Sequence, residues 1–315
     1  MKKSFRDIKK LIRSSKTAII ASHVDPDGDT LGSMVAMAML LEQKGLKVTM
    51  FSYDGVPETY HFLPRVDRII SRAPETEFDI LVTVDCSDLS RIGDVQIKAK
   101  KIINIDHHPD NTRFGDINCI KKVSSVAEQI FELARLFKVK ITKSIAIALY
   151  VAIITDTGNF RYSDTLTSTF KAAEELLKAG ANPWKLSTLV YDTKTIPGMK
   201  ILAKALQRMK LSKDKKILWS TITARMVTMT GATQEDMVGI IDYLRSVKGP
   251  EVAFFMREEN EKVKVNFRSK GSVNVSLIAQ ELGGGGHSQA SGCVLDGTVA
   301  SVQKRVLGVV RSRVK

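Results

Sequence analysis

Thr17-Ala18-Ile19-Ile20-Ala21-Ser22 runs straight into His23-Val24-Asp25-Pro26-Asp27-Gly28-Asp29. A short apolar, β-branched run bounded by polar residues reads as a buried strand of a parallel sheet. The same junction recurs twice. Phe78-Asp79-Ile80-Leu81-Val82-Thr83-Val84 ends in Asp85 and Asp88, and Lys101-Ile102-Ile103-Asn104-Ile105 ends in Asp106-His107-His108. In an open parallel sheet the strands share one C-terminal edge, and ligands bind in the crevice outside it. Three acid/His clusters, each just past a strand, are therefore expected to meet. Hard oxygen donors and imidazoles in excess of what one ion needs point to two divalent metals. A mixed imidazole–carboxylate set leans to Mn²⁺ over Mg²⁺, with Co²⁺ a further option.

Outward from these junctions the chain alternates strand and helix. Leu31 to Lys44 reads as a helix closed by Gly45, followed by a strand over Leu46 to Phe51. Ile117–Ile120 reads as a short strand and Ser124–Phe137 as an amphipathic helix. Ser144–Thr155 is nearly all apolar, hence a buried helix. It runs into Asp156-Thr157-Gly158, where a lone carboxylate is costly unless paired or bound to metal. Alternation of this kind implies βαβ units and an α/β fold with a doubly wound, mainly parallel sheet. Residues 166–211 look helical, interrupted at Gly180–Pro183 and at Ile196-Pro197-Gly198. Beyond Lys215 the pattern is that of a second, smaller α/β domain. Its expected strands are Ile217–Thr223, Val252–Met256, Val263–Arg268 and Ala290–Leu295, with Arg257–Lys262 as a polar turn. Its expected helices lie near 233–246, 274–282 and 298–312. The expected division is a first domain over 1–190, a helical connector over 191–212 and a second domain over 213–315.

Composition narrows the function classes. The 315 residues suffice for about two domains. No stretch is long and apolar enough to cross a membrane, and the basic N-terminus, which contains Asp7, lacks the apolar core of a signal peptide. Three cysteines, far apart and without a Cys-x-x-Cys pair, fit a reducing cytoplasm. The net charge of +14 around an acidic centre suits a polyanionic substrate, a nucleotide or a short nucleic acid. A Lys-rich solvated surface is the plainer reading of the charge alone.

Each motif also has a plain structural reading. His23, Asp27 and Asp29 would serve as an acidic turn that Gly28 permits, and Asp85 as a helix N-cap. Of five histidines, however, four sit in such motifs, at 23, 107, 108 and 287; His61, in Tyr60-His61-Phe62-Leu63-Pro64, reads as a packing or surface residue. Gly283–Gly286 lets backbone N–H groups approach a phosphate, with His287 and Arg268 as further donors; a lone glycine run is otherwise a linker. Phe160-Arg161-Tyr162 offers a stacking ring and a cation, or a piece of core. A nicotinamide-dinucleotide enzyme is disfavoured, because the first loop is acidic and no Gly-x-Gly-x-x-Gly opens the next helix.

His23-Val-Asp-Pro-Asp27-Gly-Asp29, Asp85-Cys-Ser-Asp88, Asp106-His107-His108 and Asp156-Thr-Gly resemble, in that order, the four motifs of the DHH phosphoesterases. Asn266-Phe-Arg268-Ser269 and Gly283-Gly284-Gly285-Gly286-His287 resemble the associated DHHA1 domain. Length and layout are similar to the nanoRNase and pAp-phosphatase branch, and Asp25 stands where that branch more often has Asn. The resemblance implies one metal held by His23, Asp27 and Asp85, and another by Asp29, Asp85, His107 and Asp156, with Asp85 shared. It implies His108 beside the phosphoryl oxygens and Asp106 orienting a histidine ligand. It implies substrate contacts from Arg268, Ser269, Gly284, Gly285, Gly286, His287 and Arg161. The activity implied is two-metal hydrolysis of very short 5′-phosphorylated RNA or DNA, such as pApA, to mononucleotides, and of pAp to AMP. A homodimer is in keeping with the family. The alternatives are a cyclic dinucleotide phosphodiesterase, an exonuclease on longer single strands, or a non-catalytic nucleic-acid-binding protein.

Overall fold

Every residue of Thr17–Ala21 beyond the first is fully buried, as a strand covered on both faces requires. It is the centre of the sheet in a computed structural model that describes residues 2–259 and 261–314. The chain divides into two units, one ending at Thr193 and one starting at Lys194.

The first unit contains, in order, α1 (Lys2–Ser14), β1 (Thr17–Ala21), α2 (Gly28–Gln43), β2 (Lys47–Phe51), β3 (Ile69–Ile70), β4 (Phe78–Val84), β5 (Ala99–Asp106), β6 (Ile117–Ile120), α3 (Val126–Leu136), α4 (Lys143–Asp156), α5 (Thr167–Lys178) and α6 (Pro183–Tyr191). Its six strands are all parallel, in the order β3-β2-β1-β4-β5-β6. The strand order reverses between β1 and β4, so the crevice of a doubly wound sheet opens at their C-terminal ends. One face packs on α2, α3 and α4, whose buried Leu31, Met34, Met37, Ile145, Leu149 and Ile153 form the main core. The opposite face is closed by a smaller cluster that includes Ile19, Phe51, Leu81 and Ile92.

α2 begins three residues before the expected Leu31. Asp27 is its N-cap, its carboxylate accepting from the Thr30 N–H at 3.0 Å, so Asp29 lies in the first helical turn rather than in a loop. Gly28 is required for a different reason than a turn. A Cβ there would lie 2.4 Å from the Thr155 methyl carbon of α4. Gly32, one turn on, would place a Cβ 2.3 Å from the Ala148 carbonyl oxygen. The two glycines let α2 and α4 approach closely, which sets the spacing between the acids at their ends.

The second unit contains α7 (Ile196–Gln207), β7 (Lys210–Leu211), β8 (Ile217–Ile222), α8 (Ala224–Thr230), α9 (Ile240–Ser246), β9 (Val252–Glu259), β10 (Lys262–Ser269), α10 (Val275–Glu281), β11 (Gly285–Gly286), β12 (Ala290–Asp296) and α11 (Val299–Arg313). Its mixed sheet runs β11-β12-β10-β9-β8-β7, with β8 and β9 parallel and the other pairs antiparallel. Phe254 and Met256 face α10 and α11, while Ala253 and Phe255 face α7 and α9.

Several sequence readings change here. Pro197 does not break a helix; it sits in the first turn of α7 behind the N-cap Thr195, where a missing N–H costs nothing. Within the segment expected as a connector, α7 buries Ile201, Leu202 and Ala205 in the second unit's core. Lys210–Leu211 pairs with β8 as a strand and is not helical. Arg257 belongs to β9 and is buried, so the hairpin turn is shorter than Arg257–Lys262. The helix expected over 233–246 is one short 3-10 turn followed by α9, and α8 precedes both.

Candidate metal centre

The ends of β1, β4 and β5 deliver the three clusters to one edge of the sheet, and α4 delivers Asp156 from its last residue. Donor atoms of His23, Asp27 and Asp85 lie within 4.8 Å of one another, as do those of Asp29, His107 and Asp156. Asp85, Asp106, His107 and His108 form a further group on the same criterion. Asp85 touches both trios. Its Oδ2 is 3.6 Å from His23 Nε2, and its Oδ1 is 3.4 Å from His107 Nε2. His107 Nε2 is also 3.4 Å from Asp156 Oδ2. Asp85 adopts φ +58°, a left-handed conformation costly for a non-glycine residue and typical of functional positions.

The imidazoles are oriented from behind. His23 Nδ1 lies 2.6 Å from the Val24 carbonyl oxygen and His107 Nδ1 lies 3.0 Å from that of Val123. A carbonyl only accepts, so each Nδ1 carries hydrogen and each Nε2 faces the acids, the arrangement expected of metal-ligating histidines. Asp29 accepts from Ser33 Oγ (3.1 Å), Ser125 Oγ (2.7 Å) and the Val126 N–H (2.9 Å). The last is an end-of-helix donor of α3, where a carboxylate is favoured.

Electrostatically the centre holds too many buried acids. Burial, then the Asp85 charge, pushes Asp29 up to about 7. Burial, with Asp29 and Asp85 adding to it, raises Asp156 well above the carboxylate range despite His107. Burial also opposes ionisation of Asp85, but the neighbouring His107 and His23 win and hold it well below that range. Burial would lower His23, yet the Asp85 carboxylate beside it lifts it to about 9. Asp85 Oδ1 and Asp156 Oδ2 are buried with no hydrogen-bond partner among the described residues. An unsatisfied buried acceptor costs about 1–3 kcal/mol, more when charged. Divalent cations fit these donors, because they would meet the orphaned oxygens and offset the excess charge.

Asp106 was expected to orient a histidine ligand, but its Oδ1 meets His108 Nδ1 at 2.7 Å, while His107 is held by Val123. Thr30, buried between His23 Nε2 (2.6 Å) and Asp85 Oδ2 (2.7 Å), was not foreseen, nor were Ser33, Ser125, Asn104 and Asn111. Hydroxyls one and four residues after Asp29 were the available sequence signal for Thr30 and Ser33. Asp85 is not a cap; Asp88 caps the turn Leu89–Ile92. Asp25 is exposed, and His61 Nε2 donates to the Val56 carbonyl at 3.0 Å. Arg161 is exposed with Nε on the Gly158 carbonyl (2.6 Å), and Phe160 stacks on Phe170, a packing role.

In the second unit the remaining residues gather at one end of the sheet. Arg268 is in register with Ala290, the Ser269 N–H meets the Gln289 carbonyl, and Gly286 pairs with Ser291. Arg268 Nε pairs with Asp242 at 3.2 Å, and Ser269 is fully buried. The glycines have local reasons. The Gly283 and Gly284 N–H groups close α10 on Gln280 and Ala279, a Cβ on Gly284 would lie 2.1 Å from the Gly292 carbonyl oxygen, and Gly286 has φ +131°. Gly285 continues this strand, and half-buried His287 closes a tight turn with Ala290.

Comparison with known proteins identifies the domains that carry most of these residues. Residues 17–153 match the DHH family N-terminal domain, and residues 214–315 match the DHHA1 domain. The chain is 33% identical, over 93% of its length and 88% of the relative's, to a bifunctional oligoribonuclease and PAP phosphatase NrnA of Thermus thermophilus. It is 29% identical to the protein of the same name from Bacillus subtilis, with 88% of each chain covered. A solved exopolyphosphatase-related protein from Bacteroides fragilis superposes with a TM-score of 0.91 at 25% identity, covering 99% of this chain and 96% of its own. RecJ of Thermus thermophilus in complex with Mn²⁺, at TM-score 0.54 and 12% identity over 98% of this chain and 54% of its own, shares the fold.

Proposed function

This chain belongs to the DHH/DHHA1 phosphoesterase family, and on that premise we propose that it is a Mn²⁺-dependent hydrolase. Its substrates are very short 5′-phosphorylated oligonucleotides such as pApA, together with pAp. The single observation that carries this is Asp85, whose two oxygens face two separate His–carboxylate groups, one of them an orphaned buried oxygen. His23, Asp27 and Asp85 would hold one divalent ion; Asp29, Asp85, His107 and Asp156 would hold the other. Bound there, the ions supply Lewis acidity to an attacking water and to the phosphoryl oxygens.

The chain's own residues do the rest. The Val24 and Val123 carbonyls keep His23 and His107 protonated on Nδ1, leaving Nε2 as the donor. Ser33, Ser125 and the start of α3 hold Asp29 in place. Asp106 holds His108, whose Nε2 would meet a phosphoryl oxygen as charge develops on it. Arg268 and His287 would bind the substrate's terminal phosphate, with Arg161 a further cation for the chain. The preference for short substrates follows the names of the relatives.

A panel of pAp, pApA, cyclic di-AMP and oligomers of increasing length, assayed with Mn²⁺, tests the proposal. Turnover of pAp and pApA, falling with chain length, is expected. Faster turnover of a long strand than of the dimer, or of cyclic di-AMP alone, would replace it with an alternative.

A further inference from the structure

Behind Asp106, which holds His108, runs a hydrogen-bonded chain that none of the roles above uses. Asn104 is fully buried in β5 and, two residues before Asp106, shares its face of the strand. Its Nδ2 donates to Thr83 Oγ1 and to the Cys86 carbonyl, both at 2.9 Å. Its Oδ1 therefore faces the other way and accepts from Asn111 Nδ2 at 2.8 Å. Asn111 Nδ2 also donates to Asp106 Oδ2 at 2.5 Å, while Asn111 Oδ1 accepts from the Arg113 N–H at 2.7 Å. That last bond fixes the amide: reversing it would set an oxygen against the Asp106 carboxylate. Asp106 Oδ1 then accepts from His108 Nδ1 at 2.7 Å, and its backbone carbonyl accepts from Gln129 Nε2 at 2.8 Å.

Buried amides are expensive unless every group is partnered. An apolar residue at 104 would continue the Ile102, Ile103, Ile105 run at lower cost. The polar chain instead leaves Asp106 one way to lie, with Oδ2 taken and Oδ1 aimed at the ring. We propose that Asn104 and Asn111 are positioning residues, which hold His108 with its Nδ1–H on Asp106 so that Nε2 is the nitrogen left to donate its N–H to the phosphoryl group. The proposal rests on the phosphohydrolase reading for its consequence, but not for its geometry.

The test has two arms on the full chain. Long-range ¹H–¹⁵N spectra of the metal-free and Mg²⁺-loaded protein report the tautomer of each of the five histidines, His108 being assigned from a His108→Asn variant. Wild type is expected to carry a His108 proton on Nδ1. Asn111→Leu, which keeps volume but loses the donor, should give mixed tautomers. Asn111→Asp, which sets an acceptor against Asp106, should disturb the ring further. In the second arm, kcat for pApA should fall about 10–100-fold in these variants, the usual range for a supporting residue. KM should stay within about two-fold of wild type, as expected for a group that acts only on the reacting phosphoryl. A His108 Nδ1 without a proton in wild type overturns the proposal even if both variants fail to fold. So does an unchanged tautomer, or an unchanged kcat in a variant whose tautomer has moved. Failure of wild type to hydrolyse pApA would instead overturn the functional reading and leave the tautomer result standing.

Discussion

Gly32→Ala should damage the metal centre without touching a single donor. The added Cβ would lie 2.3 Å from the Ala148 carbonyl oxygen and 2.9 Å from the Ala152 Cβ. Ordinary contact needs about 3.5 Å, so α2 and α4 must separate by roughly 1 Å. Backbone oxygen leaves no flexible side chain to swing aside. Overpacking of this kind costs about 1–3 kcal/mol, offset by up to about 1 kcal/mol of helix propensity. For a unit of this size a net loss of about 1–2 kcal/mol lowers Tm by about 2–8 °C. Gly32 lies one turn from Asp29, and Ala152 one turn from Asp156, so the separation passes directly to those two carboxylates. A misplacement near 1 Å costs about 10²-fold in rate. Differential scanning fluorimetry, Mn²⁺ calorimetry and kcat for pApA measure all three effects. Gly308→Ala is the control: nothing lies within 4 Å of its Cβ in α11, so it should stabilise by about 0.5–1 kcal/mol with activity unchanged. A Gly32→Ala protein with wild-type Tm, Mn²⁺ affinity and kcat would refute the packing argument.

Asp85→Asn should reduce pAp hydrolysis to background and weaken both metal sites together, read as loss of both calorimetric binding events; loss of one alone would mean Asp85 is not shared. Metal-free protein should lose stability as pH rises from about 5 to about 9. Raised Asp29 (about 7) favours the folded state while protonated, and raised His23 (about 9) contributes stability present below its unfolded pKa and lost on the way to 9. Melting curves across that range should slope downward, and a flat or rising profile would contradict the charge accounting. Mn²⁺ at about 100 times its Kd should stabilise the protein by about 2.7 kcal/mol per occupied site at pH 8, whereas no Tm shift would mean the acids hold no ion. His287→Ala should raise KM for pAp more than it lowers kcat; an effect confined to kcat would remove His287 from phosphate binding.

The strands β1, β4 and β5 were legible because burial on both faces leaves continuous apolar runs, each giving way to acids and histidines where the chain reaches the crevice, whereas the two-residue β3 is too short to leave such a run. Asp27 and Asp29 were legible as acids gathered at the sheet edge but not as cap and helix, since an Asp-rich segment before α2 looks like a loop until Asp27 is recognised as its cap. Pro197 misled in the same way, being read as a break where it marks a start. The partners that hold Asp29 were out of reach: Ser125 and Val126 lie 96 and 97 residues on and meet it only through the packing of α3 on α2. Gly28 and Gly32 were likewise silent, because a close helix approach leaves no mark on one strand of text. Asn104-x-Asp106-x-His108 did carry a signal in its alternation, hidden by the stronger apolar pattern around it.

The two-ion centre is tested most directly by anomalous diffraction at the manganese edge from crystals grown with Mn²⁺. The account predicts two peaks about 3.5–4 Å apart, one between His23, Asp27 and Asp85, the other between Asp29, Asp85, His107 and Asp156. A single peak, or two that do not share Asp85, would contradict it.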